Sequence, residues 1–352
     1  MAKYDASKVR DLISELYVRE GMSREDADIT ADSLIDANLC GRDSHGILRT
    51  VIYIDRLRSG GTKPTAQPIL VSETPTTAVI DGNDTMGLVA AYRAAQLCRK
   101  KALESGMACV LVRAGGHYGA GGYWAEMVGQ NDLFTMNISN TEPLVVPFGG
   151  KDIALGTNPV AIWAPGNKYK ALRYDVATST IAQGKLYDYK YRHKTLQPGW
   201  AVDKDGIETL DPEKAEFLTS FGGHKGYGIA VMIEAMTACL AGTAIGSGIS
   251  SLALEPDKTN NVSYQFFAMR PDLFRPLDDF RNDIDDLIDY LHSIPAAEGK
   301  KVFYPGEIEF ANREKNRVSG IDIPDDLREK LLNIAREEKI ESPESYFVQA
   351  QG

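Results

Sequence analysis

Short strand-like runs separated by helix-length segments constrain this chain most. "TAVID" (77–81), "ACVLVRA" (108–114), "LFTMNIS" (133–139), "NPVAIWAP" (158–165) and "LRYDVAT" (172–178) follow one another within a hundred residues. The run at 108–114 is continuously apolar, the pattern of a strand buried on both faces. Between these runs fall an alanine-rich helical segment over 86–105 and another over 122–130. Strands alternating with helices imply the α/β class, a large sheet flanked by helices.

The flanking regions read differently. Residues 6–19 place Val9, Leu12, Ile13, Leu16 and Tyr17 at helical spacing. Ser23 and Asp26 form a capping-box pattern that opens a second helix through about Leu39, stopped by Gly41. A third helix is expected from Ser44–Gly46, with Leu48, Val51, Ile52 and Leu57 on its apolar side, ending at Gly60 and Gly61. Beyond the strand region, 184–222 is polar and loop-like, and 225–246 is the most apolar helical candidate. A strand at 262–270, an acidic amphipathic helix at 277–292 and a last helix at 325–338 follow. The expected organisation is an N-terminal helical unit (1–75) packed with C-terminal helices (275–352) around an α/β core (76–274).

Composition narrows the partners. A net charge of −10 argues against nucleic acid, whose binders need a basic surface. The four cysteines form no CxxC pair, so free thiols and no metal site are expected. No apolar run approaches the ~20 residues of a membrane span. The polar start "MAKYDASKVRDL" lacks a signal-peptide apolar region, so a cytoplasmic, non-membrane protein is expected.

Three stretches carry chemistry. On a helix starting near Ser44, His45, Arg49, Tyr53 and Arg56 share one stripe. A guanidinium can grip a carboxylate through two parallel hydrogen bonds, and an imidazole exchanges protons near neutral pH. The same residues also fit a solvated helix face capped by Asp43 or Ser44. "RAGGHYGAGGYW" (113–124) sets His117 in a glycine-rich turn after a buried strand, either a ligand loop or a flexible connection. "FGGHKGYGIA" (221–230) puts Lys225 at a helix start, suited to phosphate or to close helix packing. Asp175, at a strand end before Thr178 and Ser179, suits a ribose hydroxyl or a helix cap. Neither G-x-G-x-x-G nor a P-loop signature is present, so no Rossmann or P-loop domain is expected.

Taken in order, DSHG with Arg49 (43–49), GHYGAGGY (116–123), PLVVPFGG (143–150), LGTNP (155–159), DVATS (175–179), GWAVDKDG (199–206), GGHKGYG (222–228) and YPGE (304–307) resemble the malate/L-lactate dehydrogenase-like oxidoreductases. The resemblance implies a non-Rossmann cofactor fold with a large mixed sheet, usually a homodimer with its active site near the subunit boundary. It implies hydride exchange between NAD or NADP and 2-hydroxy or 2-keto acids: malate first, with lactate, sulfolactate, ureidoglycolate, diketogulonate and cyclic imino acids as alternatives. His45 matches the usual proton-transfer histidine and Arg49 the carboxylate clamp, with Ser44 and Tyr53 supplementing the grip. His117 matches a second active-site histidine, and the choice between the two stays open. Thr141 matches a position beside the nicotinamide, Asp175, Val176 and Ala177 a ribose segment, Lys225 a phosphate contact, and Gly306 with Glu307 a further cofactor contact. His224 stands where many relatives carry tyrosine or proline. The cations of "YKYRHK" (189–194) fit either a 2′-phosphate or a solvated loop, so NAD is expected with NADP possible.

Overall fold

A computed structural model describes residues 2–350. Its centre is a seven-stranded sheet in the order β2-β3-β4-β10-β5-β6-β7. The strands are β2 (Ile69–Glu73), β3 (Thr77–Asp81), β4 (Met107–Gly115), β5 (Phe134–Ser139), β6 (Val160–Pro165), β7 (Ala171–Val176) and β10 (Val262–Met269). Only β3 and β4 pair in parallel within it, so the sheet is mixed. Because β4 and β5 both lie antiparallel to β10, they point the same way. β6 reverses against β5, and β7 reverses again. One rim of the sheet therefore collects the C-terminal ends of β4, β5 and β7 and the N-terminal ends of β6 and β10.

Helices α4 (Gly87–Ser105) and α5 (Gly121–Gly129) cover the sheet, and α1 (Ala6–Arg19) and α2 (Arg24–Leu39) pack outside them. One hydrophobic core runs from Tyr4 through Leu34, Val89, Val110 and Phe266 to Leu331 and Phe347. The first and last described segments meet: β1 (Lys3–Tyr4) pairs with β11 (Ile321–Asp322), and the Lys3 carbonyl accepts from the Ala350 amide at 3.1 Å. Ser23 caps α2 as its spacing predicts, accepting from the Asp26 amide at 3.1 Å. A buried ionic cluster joins α2, α5, β7 and α9 (Glu307–Ser319): Arg313 donates twice to Glu126 at 2.9 and 2.8 Å, and pairs with Asp36 at 3.0 Å. Against the cost of burial, Arg313, Lys170 and Arg173 hold the Glu126 carboxyl down to about 2.

Several elements depart from expectation. The third helix, α3 (Arg49–Ser59), starts at Arg49, because Gly46 adopts extended backbone after one 3₁₀ turn at Asp43–His45. Neither Asp43 nor Ser44 caps it. The polar stretch after Ile181 is not one loop. It holds α6 (Gln183–Tyr191), β8 (Ala201–Val202) and β9 (Phe217–Leu218) around a satellite core of Val145, Leu186, Leu196, Trp200 and Leu218. The apolar helix α7 (His224–Glu234) widens into a π turn at Ala235–Cys239 and stops before Gly242, whose φ is +68°. It keeps Ile229, Met232 and Leu240 exposed, so it is not the fully packed helix its composition suggests. β2 and α9 were not expected; α8 (Leu277–Ser293) and α10 (Asp325–Glu337) lie close to their expected bounds. Among the described residues no helix is long and apolar enough to cross a membrane.

Arg56 is the clearest correction. Instead of joining the His45 stripe, it is 2% exposed and spends its guanidinium on backbone carbonyls of Leu252 (3.2 Å), Glu255 (3.1 Å) and Lys258 (2.5 Å). It thereby clamps the 250–258 segment onto α3. Arg56→Met keeps the bulk but leaves those carbonyls unpaired, and should cost about 2–4 kcal/mol. Urea denaturation measures this, and a loss under about 1 kcal/mol would contradict the clamp.

Candidate active site

The rim described above brings the sequence-flagged residues together. Ahead of α3, the 42–48 segment is held by α2 through Asn38, which is 5% exposed. Its Oδ1 accepts from the Ile47 amide at 2.8 Å, and its Nδ2 donates to Asp43 at 2.7 Å. A Cβ at Gly46 would lie 2.1 Å from Asn38 Oδ1, so only glycine allows this contact. The sequence reading missed Asn38, whose only local signal is an amide at a buried helix position. Arg49 donates from Nε to the Ser44 carbonyl at 2.7 Å. Its terminal nitrogens make no hydrogen bond among the described residues, leaving a two-pronged donor one residue into α3.

His117 reaches the same place from the end of β4. Ala114 has φ of +47°, a left-handed conformation that costs a side-chain-bearing residue strain, and the β4–β10 register shifts beside it. Gly87 lies under the turn, where a Cβ would stand 2.3 Å from the His117 carbonyl oxygen. The His45 and His117 rings stack with centroids 5.6 Å apart and planes 25° from parallel. The Tyr53 hydroxyl lies 2.7 Å from His117 Nδ1, and the Gly119 amide donates to that nitrogen at 3.4 Å. Burial raises the Tyr53 phenol, so it stays protonated. A nitrogen facing the Gly119 donor holds a lone pair, which puts the proton of neutral His117 on Nε2. His45 differs: its Nδ1 meets the Ser44 hydroxyl at 3.0 Å, and a hydroxyl can donate or accept.

The electrostatics favour an anion. Burial, then the Arg49 and Arg42 cations, push His45 well below the usual imidazole range. Burial, then Arg49, His45 and Arg56, do the same to His117. Both imidazoles are therefore neutral at pH 7, and an anion that neutralises Arg49 would raise them.

The residues that the resemblance matches to a cofactor are spread over the end of β5, the edge of β7 and the start of α7. Thr141 follows β5; its amide donates to Asn158 Oδ1 at 3.0 Å, and its hydroxyl accepts from the Thr157 amide at 2.9 Å. Behind it, Glu234 is 8% exposed and receives Asn140 Nδ2 and Asn158 Nδ2, each at 3.0 Å. These three residues also escaped the sequence reading. Asp175, Val176 and Ala177 continue from β7, half-buried, and Gly122 of α5 approaches the Asp175 carboxylate so closely that a Cβ would stand 2.9 Å from it. The turn at Gly306 sits on β7, with the Arg173 amide donating to the Pro305 carbonyl at 2.9 Å. The Glu307 carboxylate is already engaged by His292 at 2.8 Å and Lys301 at 2.6 Å. Lys225 is exposed at the start of α7, after Gly222 and Gly223, both at positive φ. No side chain caps that helix, and a cleft of about 780 Å³ lined by Phe148, Thr180 and both glycines opens beside it.

A family model described as malate/L-lactate dehydrogenase matches residues 4–332. The chain belongs to this family. It is a dehydrogenase acting on the CH–OH group of hydroxy acids, and the family uses a nicotinamide cofactor. It is 39% identical over 330 residues to the L-sulfolactate dehydrogenase of Methanocaldococcus jannaschii, covering 93% of this chain and 95% of that one. The malate dehydrogenase of Pyrococcus horikoshii is 33% identical over 340 residues, with 94% and 93% covered. The ureidoglycolate dehydrogenase of Escherichia coli K12 is 32% identical over 334 residues, with 95% and 96% covered. The solved sulfolactate dehydrogenase of M. jannaschii superposes with a TM-score of 0.93 at 37% identity, covering 98% of this chain and 100% of that one.

The dehydrogenase fits such a cofactor on its own features. The uncapped N-terminus of α7, with Lys225 exposed there and a cleft beside it, suits a phosphate. The depressed histidines also set its response to acid. Each has a folded pKa below the ordinary ~6.5, so the unfolded chain binds more protons beneath that pH. Their contribution to stability is complete above about pH 6.5 and falls as the pH drops toward the depressed values, by about 1.4 kcal/mol per unit per group. His117→Asn should therefore flatten the decline between pH 7.5 and 5 by up to about 2 kcal/mol in urea melts. Parallel curves for variant and wild type would contradict this.

Proposed function

We propose that the chain interconverts a small 2-hydroxy acid and its 2-keto acid, with Arg49 gripping the carboxylate and His45 moving the hydroxyl proton. The observation that carries this reading is the unengaged fork of Arg49 beside two stacked imidazoles, with Nδ1 of one held by two donors. A bound nicotinamide cofactor, held by Lys225 and Asp175, would supply or take the hydride at C2. In hydroxy-acid oxidation, neutral His45 accepts the hydroxyl proton on Nε2, while the Ser44 hydroxyl supports Nδ1–H. In reduction the protonated ring returns it. His117, with Nε2–H, donates a hydrogen bond to the same oxygen and is itself positioned by Tyr53. Thr141 and the Asn140–Glu234–Asn158 node shape the wall on the nicotinamide side.

Malate remains the first substrate choice, and the relatives named for malate, sulfolactate and ureidoglycolate point to an acid with a second polar end. Lactate is an alternative. Cyclic imines belong in the panel because a solved structure named a Δ1-piperideine-2-carboxylate reductase from Pseudomonas syringae pvar. tomato superposes with a TM-score of 0.86 at 27% identity. NAD is favoured over NADP because an Asp175 carboxylate accepts ribose hydroxyls and repels a 2′-phosphate. A cytoplasmic location accompanies this reading. So does a division of labour in which the 1–75 unit, packed with 275–352, carries the substrate-binding helix against the 76–274 cofactor-binding core.

A homodimer is supported by the exposed apolar face of α7 and its continuation, where Ile229, Met232, Leu240 and Ile245 are 43%, 55%, 63% and 56% exposed. Sedimentation should give a dimer that Met232→Glu with Leu240→Glu converts to monomer. A wild-type monomer at micromolar concentration would sink this proposal.

The deciding assay is NADH and NADPH oxidation across oxaloacetate, sulfopyruvate, oxalurate, pyruvate and cyclic imines. On the best substrate, His45→Ala should lower kcat about 10²–10⁴-fold. Arg49→Lys should chiefly raise KM, since a point charge cannot replace the fork. Normal turnover in the first variant, or an unchanged KM in the second, would remove that residue from its role.

A further inference from the structure

Arg42 stands immediately before the turn that carries His45, and its backbone carbonyl accepts from the His45 amide at 2.9 Å. Its side chain leaves that segment altogether. One terminal nitrogen, Nη2, donates to the Asp175 carbonyl at 3.0 Å and to Glu309 Oε1 at 2.8 Å. Those acceptors belong to the two cofactor-side segments. Asp175 closes β7, and Glu309 lies two residues past Glu307 in the first turn of α9. The segments are themselves locked together. A Cβ on Gly306 would lie 2.8 Å from the Arg173 Cβ, and the Arg173 amide bonds the Pro305 carbonyl. Arg42 is thus the side chain that ties the substrate segment to both parts of the cofactor side at one atom.

Stability does not explain the arrangement well. The Arg42 side chain is 37% exposed, and ion pairs at that exposure contribute little to folding. Asn38 anchors the segment only at Asp43 and Ile47, on either side of His45. What the bridge adds is a physical link across the site.

We infer that Arg42 is a positioning residue that couples cofactor binding to the placement of His45, so that the loaded enzyme grips its acid more tightly than the empty one. The inference rests on the proposed function above. A cofactor settling against Asp175 and the 306–307 turn restricts the two acceptors. They restrict Arg42, and the restricted Arg42 holds the 3₁₀ turn and its imidazole. An acid binding at His45 and Arg49 then loses less freedom on binding. Arg42 acts on His45 electrostatically as well. The charged or titratable groups around that ring are Arg49 and Tyr53 from α3, His117 from the β4–α5 turn, and Arg42 and Asp43 from its own segment. The Asp43 carboxylate is turned to Asn38.

The test is a pair of titrations by calorimetry with oxalate, which presents the carboxylate–carbonyl head of a 2-keto acid, without and with saturating NADH. In wild type, NADH should tighten oxalate at least fivefold, within the usual range of coupling between sites. In Arg42→Gln the gain should fall below about twofold, with oxalate affinity in the absence of NADH little changed. Arg42→Lys keeps the charge without the planar bridge, so coupling should fall while the acid limb of the kcat/KM profile stays in place. Arg42→Gln should move that limb upward, a shift that a purely structural defect does not produce. Glu309→Gln weakens one acceptor, keeps the Arg42 charge, and should lose part of the coupling; it also carries the test if Arg42→Gln does not fold. Equal coupling in wild type and folded variants overturns the inference and leaves the functional reading intact. A wild type that binds neither NADH nor NADPH overturns both.

Discussion

Strand β10 is the element on which the site depends. It runs antiparallel between β4 and β5, and so makes those two strands point the same way while holding them about 10 Å apart, twice the spacing of neighbouring strands. Without that insertion, the loops after β4 and β5 would collide or face opposite rims. With it, His117 leaves one strand end and Thr141 the other, with a strand's width between them. The Asn140 side chain ties the arrangement together, because its Oδ1 accepts from the Ser263 amide at the start of β10 while its Nδ2 reaches Glu234.

The same geometry explains how a chain without a Gly-rich dinucleotide fingerprint gathers several loop ends at one rim. Parallel sheets gather loops at one edge because every strand points the same way. Here antiparallel neighbours achieve it by alternating the ends they contribute, C-terminal for β4, β5 and β7 and N-terminal for β6 and β10. Glycines occur where backbones must touch, as at Gly87 and Gly306, rather than at a fixed spacing.

Much of this was legible in the chain, for identifiable reasons. The central strands carry their own apolar runs, and the Ser23 cap is a local device, so both can be read without a fold. His45 and Arg49 are four residues apart, and their partnership survives even though the helix begins later than spacing suggests. The unreadable parts are contacts between distant segments. Arg56 looks like a solvated helix cation until the carbonyls near residue 255 are brought to it. α9 escaped because its one buried residue is Arg313, so it shows no apolar stripe. The hydroxyl that meets His117 Nδ1 belongs to Tyr53, sixty-four positions earlier.

The ionic cluster around Glu126 has a consequence for the birth of the molecule. Its members come from positions 36, 126, 173 and 313, and β1 finds its only named strand partner at β11. During synthesis α1 and α2 cannot complete their packing until α9 and β11 have left the ribosome. Contacts that close so long a loop form late and slowly. A truncated or stalled chain would thus expose the face of α2 that carries Asp36, with the Asp36–Glu126 pair keeping Arg173 but lacking Arg313.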